Sequence, residues 1–290
     1  MKRIWLVLMA LVGTIMLIQG CTKRWEEEEI NYVAPNWTSD GKIVFVEEKK
    51  VYLYEQPPFL DVNVKIKSKN FWLCEIANNG TGKHRIANIS SNGDLWAITN
   101  TSSALDYVVI GEGEYKEIWV IKRDGTELKK VGSGTYPDFS PDAEKIVYQK
   151  KDQGIWIMNR DGSGEHQIIS DGQHPAWSPE GGRIAYVVGY PNVDTLLVVD
   201  TIGILLKSFS VEIDMPDWGP IDSSAVSGSG GGHARILYYD SGNVNNLSSV
   251  PAGWGGGAKW SPEGSLFIGW VSGEFCITDR NSGNKWYLKP

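Results

Sequence analysis

Short apolar runs recur along the chain between turns that contain Gly, Asp, Asn and Pro. Examples are "KIVYQK" at 145–150, "RIAYVV" at 183–188 and "TLLVVD" at 195–200. These runs are rich in β-branched and aromatic residues and are apolar at nearly every position, which predicts strands buried on both faces. Turn signals such as Asp161-Gly162 mark hairpins. The pattern therefore predicts an all-β chain of short antiparallel strands.

One unit of about 40 residues repeats along the chain. "PDFSPDAEKIVY" at 137–148 is followed by "PAWSPEGGRIAY" at 175–186, with related stretches at 35, 216 and 258 and a degraded one at 87. In the "SP" copies the Pro presets φ for a type I turn between two strands. Each unit predicts four strands, and six units over residues 32–290 give about 43 residues each, which predicts a six-bladed β-propeller. An aromatic or apolar anchor lies in each copy, at Trp37, Ile89, Phe139, Trp177, Trp218 and Trp260.

This unit resembles the TolB-type β-propeller repeat, which also occurs in the propellers of prolyl oligopeptidase relatives. The resemblance covers essentially all of residues 32–290. It implies a propeller that binds a protein or peptide, although relatives with this repeat include lyases that act on oligosaccharides. TolB carries an α/β domain before its propeller, and residues 22–31 are too short for one, so we expect the propeller alone. The matching positions are Phe139, Ser140, Pro141, Trp177, Ser178, Pro179, Gly181, Trp260, Ser261, Pro262 and Gly264.

The N-terminal segment has the layout of a secretory signal. Lys2 and Arg3 precede an apolar run from Ile4 to Ile18, which is short for a spanning helix of about 20 residues. It ends in "LIQGC", which resembles a bacterial lipobox. We therefore expect residues 1–20 to be a lipoprotein signal peptide and Cys21 to be the acylated residue; a plain cleaved signal and an uncleaved anchor are the alternatives. Residues 21–31, with the run Glu26–Glu29, predict a charged, open tether.

The net charge excludes one class of partner and sets how the chain would be held. The chain carries 28 basic and 35 acidic residues, a formal charge of −7, and removal of Lys2 and Arg3 makes it more acidic. Phosphate backbones and anionic lipids repel such a protein, so no nucleic-acid partner is expected. Attachment would depend on acyl chains at Cys21. The expected location is the cell envelope, at the periplasmic face of the outer membrane or at the cell surface.

Two groups of residues are candidates for partner binding. Long segments at 49–69 and 101–116 predict loops that form a ridge on one face, although tolerated insertion explains them equally well. The other group lies in loops around the mouth of the central channel, where His174 is expected to be a solvated loop residue. The ridge contains Tyr52, Tyr54, Phe59, Leu105, Tyr107 and Tyr115; the mouth contains Tyr136, Gln173, His174, Asp214 and Trp254.

The sequence offers no convergent catalytic motif. Ser227 stands where a nucleophile elbow needs Gly, and the four His residues do not fall at any metal-ligand spacing. We expect no catalytic residue, metal or cofactor, and two buried free thiols at Cys74 and Cys276. The leading hypothesis is a non-catalytic envelope lipoprotein that binds another envelope protein or a peptide. The alternative is a glycan-binding protein or a lyase-like enzyme acting on oligosaccharides.

Overall fold

The structure is a computed structural model, and it describes most of the chain after residue 21. The described residues are 22–57, 61–89, 98–101, 107–112, 117–189, 195–219, 224–230, 233–251, 258–271 and 274–290. They contain strands and turns and no α-helix. In this part of the chain, no helix has the length and apolar character needed to cross a membrane.

The described strands form six antiparallel sheets of four strands each, numbered here in chain order. Sheet 1 contains β1 Lys23–Trp37, β2 Lys42–Gln56, β3 Asn63–Ala77 and β4 His84–Asn88; sheet 2 contains β5 Ile98–Thr101, β6 Tyr107–Glu112, β7 Glu117–Lys122 and β8 Lys129–Ser133. Sheet 3 contains β9 Thr135–Phe139, β10 Lys145–Lys150, β11 Gly154–Asn159 and β12 His166–Ile169; sheet 4 contains β13 Gln173–Trp177, β14 Arg183–Val188, β15 Thr195–Asp200 and β16 Leu205–Ser210. Sheet 5 contains β17 Asp214–Trp218, β18 Ala225–Gly230, β19 His233–Tyr238 and β20 Val244–Pro251; sheet 6 contains β21 Lys259–Trp260, β22 Leu266–Val271, β23 Glu274–Asp279 and β24 Lys285–Leu288.

The middle strands are buried on both faces, as the sequence predicts. In β10, Ile146 and Tyr148 pack in a cluster shared with sheet 2, whereas Val147 packs in a cluster shared with sheet 4. Alternate residues of a strand point to opposite faces, so a continuous apolar run serves both neighbours. The result is an all-β propeller of four-stranded antiparallel blades.

Apolar clusters join each sheet to the next, and one cluster joins the last sheet to the first. That cluster contains Phe45 and Cys74 of sheet 1 together with Phe275 and Ile277 of sheet 6. The rings of Phe45 and Phe275 lie edge to face with 5.2 Å between their centroids. The five other clusters join sheets 1 and 2, 2 and 3, 3 and 4, 4 and 5, and 5 and 6.

The repeated Ser of the "SP" turn closes the hairpin between the first two strands of a blade. Its hydroxyl accepts the backbone N–H five residues on: Ser140 from Lys145 at 2.9 Å, and Ser178 from Arg183 at 2.9 Å. Ser140 is buried, so this bond also satisfies its hydroxyl oxygen as an acceptor. The Ser-Pro part of the repeat in the sequence therefore serves to form the turn between the first two strands of a blade.

The Asp-Gly turn of sheet 3 touches the preceding blade. Gly162 has φ +92°, and a Cβ built on it would lie 2.2 Å from the carbonyl oxygen of Val131 in β8. Only Gly combines this left-handed backbone with such a close approach. The turn residues therefore contribute to blade packing as well as to hairpin formation.

The described part of the chain forms two compact units, the first within residues 22–31 and 48–70 and the second within Tyr32–Glu47 and Phe71–Pro290. The described part of the first unit is formed by the outer parts of β1, β2 and β3. Residues 23–31 are thus strand rather than the open tether that the sequence predicts, and residues 49–69 are largely strand rather than loop. Cross-strand pairing explains the difference, because Glu28 pairs with Lys49 at 2.7 Å and Lys67 pairs with Glu26 at 2.5 Å.

The second repeat also differs from the prediction of an inserted loop at 101–116. Residues 107–112 form β6, which pairs with β5 on one side and β7 on the other. Ile89, the predicted anchor of that repeat, packs in the cluster that joins sheets 1 and 2 and donates its backbone N–H to Phe71 of β3. The weak copy at 87 therefore does not mark the first strand of sheet 2.

Both described cysteines, Cys74 and Cys276, are buried and free. Cys74 of sheet 1 faces sheet 6. On β23 of sheet 6, the residues on either side of Cys276, Phe275 and Ile277, face sheet 1. Since neighbours on a strand point to opposite faces, the two thiols do not share one side of the interface. Burial raises the pKa of the Cys74 thiol to about 12, so this thiol is unreactive at neutral pH.

Candidate functional site

The first strands of the blades line the central axis of the propeller unit. Among the described residues, β5 contacts β9, β9 contacts β13, β13 contacts β17, and β17 contacts β21. This series of contacts from one first strand to the next is the arrangement expected of innermost strands around a propeller axis. Their side chains are therefore the ones that can meet in the central channel.

Four of these first strands carry a residue with positive φ directly before a proline. The φ angles are 54° at Ala34, 53° at Tyr136, 50° at His174 and 49° at Met215. A non-glycine residue with φ in this range is uncommon, and proline disfavours it further in the preceding residue. Such strain costs on the order of 1–3 kcal/mol per residue and is concentrated at functional sites.

The strained residues coincide with breaks in strand register. In β9–β10 the register shifts between Val147 and Gln149, and in β13–β14 it shifts between Gln173 and Ala176. A bulge of this kind re-aims the side chain next to it. Pro137 and Pro175 thus accompany a bulge on the innermost strand, at the level where Tyr136 and His174 lie.

Three of the predicted channel-mouth residues meet across three neighbouring inner strands. The ring of Tyr136 on β9 lies 4.0 Å, centroid to centroid, from the imidazole of His174 on β13. The Nδ1 atom of His174 bonds the carboxylate of Asp214 on β17. An ionised carboxylate only accepts, so His174 donates and its tautomer is fixed. We call Tyr136, His174 and Asp214 the mouth cluster.

Backbone and amide groups hold the mouth cluster in place. Gln149 accepts the backbone N–H of His174 at 3.2 Å, and Asp214 accepts the N–H of Met215 at 2.8 Å. The expectation that His174 is a solvated loop residue is wrong, since it is 5% exposed and lies within β13. Gln173 also lies on β13, and its buried Oε1 has no hydrogen-bond partner among the described residues.

A second polar group lies on the inner strands, with Asp138 two residues after Tyr136 on β9, Asp217 three residues after Asp214 on β17, and Lys259 on β21. Lys259 donates to Asp217 at 2.8 Å, and Asp217 also accepts the backbone N–H of Trp260 at 3.1 Å. Asp138 accepts the N–H of Trp177 at 2.5 Å, from one inner strand to the next. Two or three residues of strand span about 7–10 Å, which is the distance along β9 and β17 from the mouth cluster to these residues. We call Asp138, Asp217 and Lys259 the inner ion group.

Burial and charge act in opposite directions on the inner ion group. Burial raises the pKa of Asp138 to about 7, against the opposing charge of Lys259 and the hydrogen bond from Trp177. Burial of Lys259 acts to lower its pKa, but the charges of Asp217 and Asp138 outweigh it, and the pKa is raised. Buried carboxylates with a pKa near neutrality are typical of functional sites and also of structural ion networks.

Only part of the predicted ridge of aromatic residues lies in the described part of the chain. Tyr52 and Tyr54 lie together on β2 with 6.5 Å between their ring centroids. Tyr107 begins β6, and its backbone alone is described. The other candidates lie outside the described residues: Cys21, Phe59, Leu105, Tyr115 and Trp254.

Sequence reasoning missed the inner ion group, although the repeat contains the signal for it. Asp138, Asp217 and Lys259 each directly precede the aromatic anchor of their copy, in "PDF", "PDW" and "AKW". Since the anchor packs on one face of its strand, the residue before it points to the opposite face. Aligning that single column of the repeat would have marked these charged residues as a recurring feature of the inner strands.

Within the described part of the chain, no group of three or more His, Cys, Asp or Glu side chains is arranged to hold a metal ion. The mouth cluster contributes one imidazole and one carboxylate that bond each other. What it offers chemically is an aromatic surface beside a polarised imidazole, in a channel whose second layer is charged.

No protein-family model and no curated protein matches the sequence. Solved structures with a similar fold include TolB from Acinetobacter baumannii, at 12% identity and a TM-score of 0.61, covering 91% of this chain and 79% of that one. A chain of the nidogen/laminin complex matches at 12% identity and a TM-score of 0.59, covering 91% and 94%. Oligogalacturonate lyase in complex with manganese matches at 13% identity and a TM-score of 0.52, covering 89% and 92%. At these identities the likeness shows the propeller fold alone.

Proposed function

We propose that the chain is a non-catalytic binding module of the cell envelope, and that its channel mouth binds a segment of another envelope protein or a peptide. The observation that carries the proposal is the mouth cluster, which joins three inner strands through Tyr136, His174 and Asp214. Two of its members are held at positive φ, a cost that the fold sustains at the place where a ligand would enter.

The chemistry of the mouth cluster suits a peptide. An aromatic ring beside a polarised imidazole offers stacking, apolar contact and hydrogen bonding within one small area. The cluster is also preorganised, since Gln149 and the Met215 N–H fix its backbone and carboxylate. Preorganisation lowers the entropy lost on binding, so a short peptide can bind without a large interface.

The binding module in this proposal is a closed ring of six blades. Its support is the set of six apolar clusters, of which one joins sheet 6 to sheet 1. Among the described strands, none of sheet 1 joins sheet 6, so this proposal has the ring closed by side-chain packing between the two sheets.

The proposed location follows from the N-terminal sequence. "LIQGC" after an apolar run supports a lipoprotein signal peptide over residues 1–20 and acylation of Cys21. Two acyl chains or more give stable anchoring, and the acidic chain needs no basic patch for it. The module would thus face its partner from the surface of a membrane.

A second candidate function is binding or lyase-type cleavage of an acidic oligosaccharide. The observation that favours it is the inner ion group, in which Lys259 could pair with a sugar carboxylate and Asp138 titrates near neutrality. Lys259 is already paired with Asp217, however, and the two carboxylates repel an anionic sugar. The peptide proposal is therefore the one we develop.

The experiment is photo-cross-linking in the native envelope with p-benzoylphenylalanine in place of Tyr136. Trp286, an exposed aromatic residue on β24, serves as the matched control position. We expect one protein adduct at position 136 that is absent at position 286. Adducts with polysaccharide alone would favour the second candidate, and identical adducts at both positions would contradict a specific channel-mouth site.

A further inference from the structure

The first unit forms a three-stranded ribbon that contains no residue of the mouth cluster or of the inner ion group. It consists of residues 23–31 of β1, 48–56 of β2 and 63–70 of β3, and we call it the arm. Ion pairs between its strands fix the register, for example Glu28 with Lys49 and Glu48 with Lys69. The run Glu26–Glu29 is thus part of a folded ribbon.

The start of β1 and the end of β2 lie at the same end of the arm. Arg24 pairs with Glu55 at 2.9 Å, and the Trp25 ring stacks on the Tyr54 ring with 5.1 Å between centroids and 9° between planes. The ammonium of Lys23 lies 5.3 Å from the centroid of Trp25. The start of β3 lies at this same end, because β2 and β3 are antiparallel neighbours.

This end of the arm exposes apolar side chains. Val64 is 52% exposed and Ile66 is 56% exposed, and Val62 just before β3 is also exposed. Exposed aliphatic residues at the same end of the arm as a Trp–Tyr pair make that end amphipathic. Trp and Tyr with apolar neighbours and a flanking cation are the composition found where proteins meet the interface of a bilayer.

The position of the arm in the chain also indicates a membrane as the partner of this surface. The apolar run Ile4–Ile18 and Cys21 come directly before it, and β1 begins at Lys23. From an acylated Cys21, two residues of chain lead to Lys23 and span at most about 7 Å, whereas from an uncleaved anchor that ends at Ile18 five residues span at most about 18 Å. The end of the arm that carries Trp25 therefore lies at or close to the membrane surface whenever the chain is attached.

We propose that this end of the arm is a membrane-contact site, which inserts Trp25, Tyr54, Val64 and Ile66 into the interfacial region of a phospholipid bilayer. The proposal rests on the membrane attachment proposed above. Charge does not drive the contact, because residues 22–31 and 48–70 carry seven acidic and seven basic residues. Apolar burial drives it, and the anchor supplies the proximity that a small apolar surface needs.

The test uses the full chain on vesicles of phosphatidylethanolamine and phosphatidylglycerol, with flotation to establish attachment and brominated lipid to quench tryptophan fluorescence. Trp25→Phe keeps an aromatic ring against Tyr54 but removes the indole that bromine quenches. Trp286→Phe is the matched control, because Trp286 is an exposed Trp of the other unit. We expect all three proteins to float, bromine to quench the wild type and Trp286→Phe, and Trp25→Phe to lose that quenching.

A second probe does not depend on tryptophan. p-Benzoylphenylalanine in place of Val64 should give a phospholipid adduct, whereas the same probe in place of Ile202, which is 71% exposed, should give none. Flotation with quenching unchanged in Trp25→Phe, or with a protein adduct instead of a lipid adduct at 64, would overturn the arm contact and leave the attachment standing. Failure to float would contradict the attachment itself and the arm contact with it.

Discussion

The ring of Phe45 in the first sheet lies edge to face against the ring of Phe275 in the last sheet, 5.2 Å between centroids. Both side chains are fully buried, in a cluster formed only by residues of these two sheets. The contact joins strands about 230 residues apart in the chain, so its loss should affect the whole propeller unit.

Phe275→Ala should lower the free energy of unfolding by about 3–5 kcal/mol, because it leaves a cavity where the first and last sheets meet. Phe209→Ala is the control, since Phe209 is only partly buried at the junction of sheets 4 and 5. Chemical denaturation measures both. Equal losses in the two variants would argue against a special role for the first-to-last contact.

Asp138 should make stability depend on pH. Its folded pKa of about 7 lies above the ordinary value of 3.8, so the folded state holds a proton that the unfolded state has released. Its contribution to stability is present at acid pH and is lost as pH rises towards 7. Between pH 5 and pH 8 the wild type should lose on the order of 2–3 kcal/mol from this group.

Asp138→Asn should remove that dependence and still accept the Trp177 N–H, because an amide oxygen is also an acceptor. Thermal unfolding of both proteins from pH 5 to pH 8 provides the comparison. The melting temperature of Asp138→Asn relative to that of the wild type should increase as pH rises. Parallel curves would show that Asp138 is ionised in the folded state throughout this range.

Gly162→Ala should destabilise the protein far more than Gly41→Ala. Both residues have positive φ, +92° and +76°, so both substitutions strain the backbone by about 1 kcal/mol. Only at Gly162 does the new Cβ meet a backbone oxygen, at 2.2 Å, whereas nothing lies within 4 Å at Gly41. Melting temperatures measure the difference, and equal shifts would rule out the close approach of the turn to β8.

Cys21→Ala should release the protein from membranes, because the proposed acylation requires the thiol of Cys21. Thr22→Ala is the neighbouring control and should remain membrane-bound. Fractionation of cells followed by detection of the protein measures both. A Cys21→Ala protein that still pellets with membranes would count against the lipid anchor and favour an uncleaved apolar segment.

The sequence predicts the propeller because its repeat contains turn chemistry that acts locally. Ser140 and Ser178 each close their own hairpin, so their spacing is the spacing of blades. The errors arise where tertiary pairing overrides local character. Glu26–Glu29 predicts an open tether until cations of β2 and β3 pair with it, and residues 107–112 look inserted until β5 and β7 flank them.

The candidate site was predictable in part. Loops between blades pointed to Tyr136, His174 and Asp214 as channel-mouth residues, because such loops surround the axis of any propeller. Their mutual contacts were not predictable, since a positive φ before proline is invisible in the sequence and is what accompanies the bulge at His174. The burial of His174 follows from that geometry and from the neighbouring blades.

The central claim is that the mouth cluster binds the partner, and the most direct measurement is the Kd of the cross-linked partner or its peptide for three purified proteins. Asp214→Asn removes the charge that orients His174, whereas His166→Asn alters an exposed His on β12 and is the control. With melting temperatures matched, we expect Asp214→Asn to weaken binding by about tenfold or more, which is about 1.4 kcal/mol, and His166→Asn to leave it unchanged. The same Kd for all three proteins would contradict the proposal.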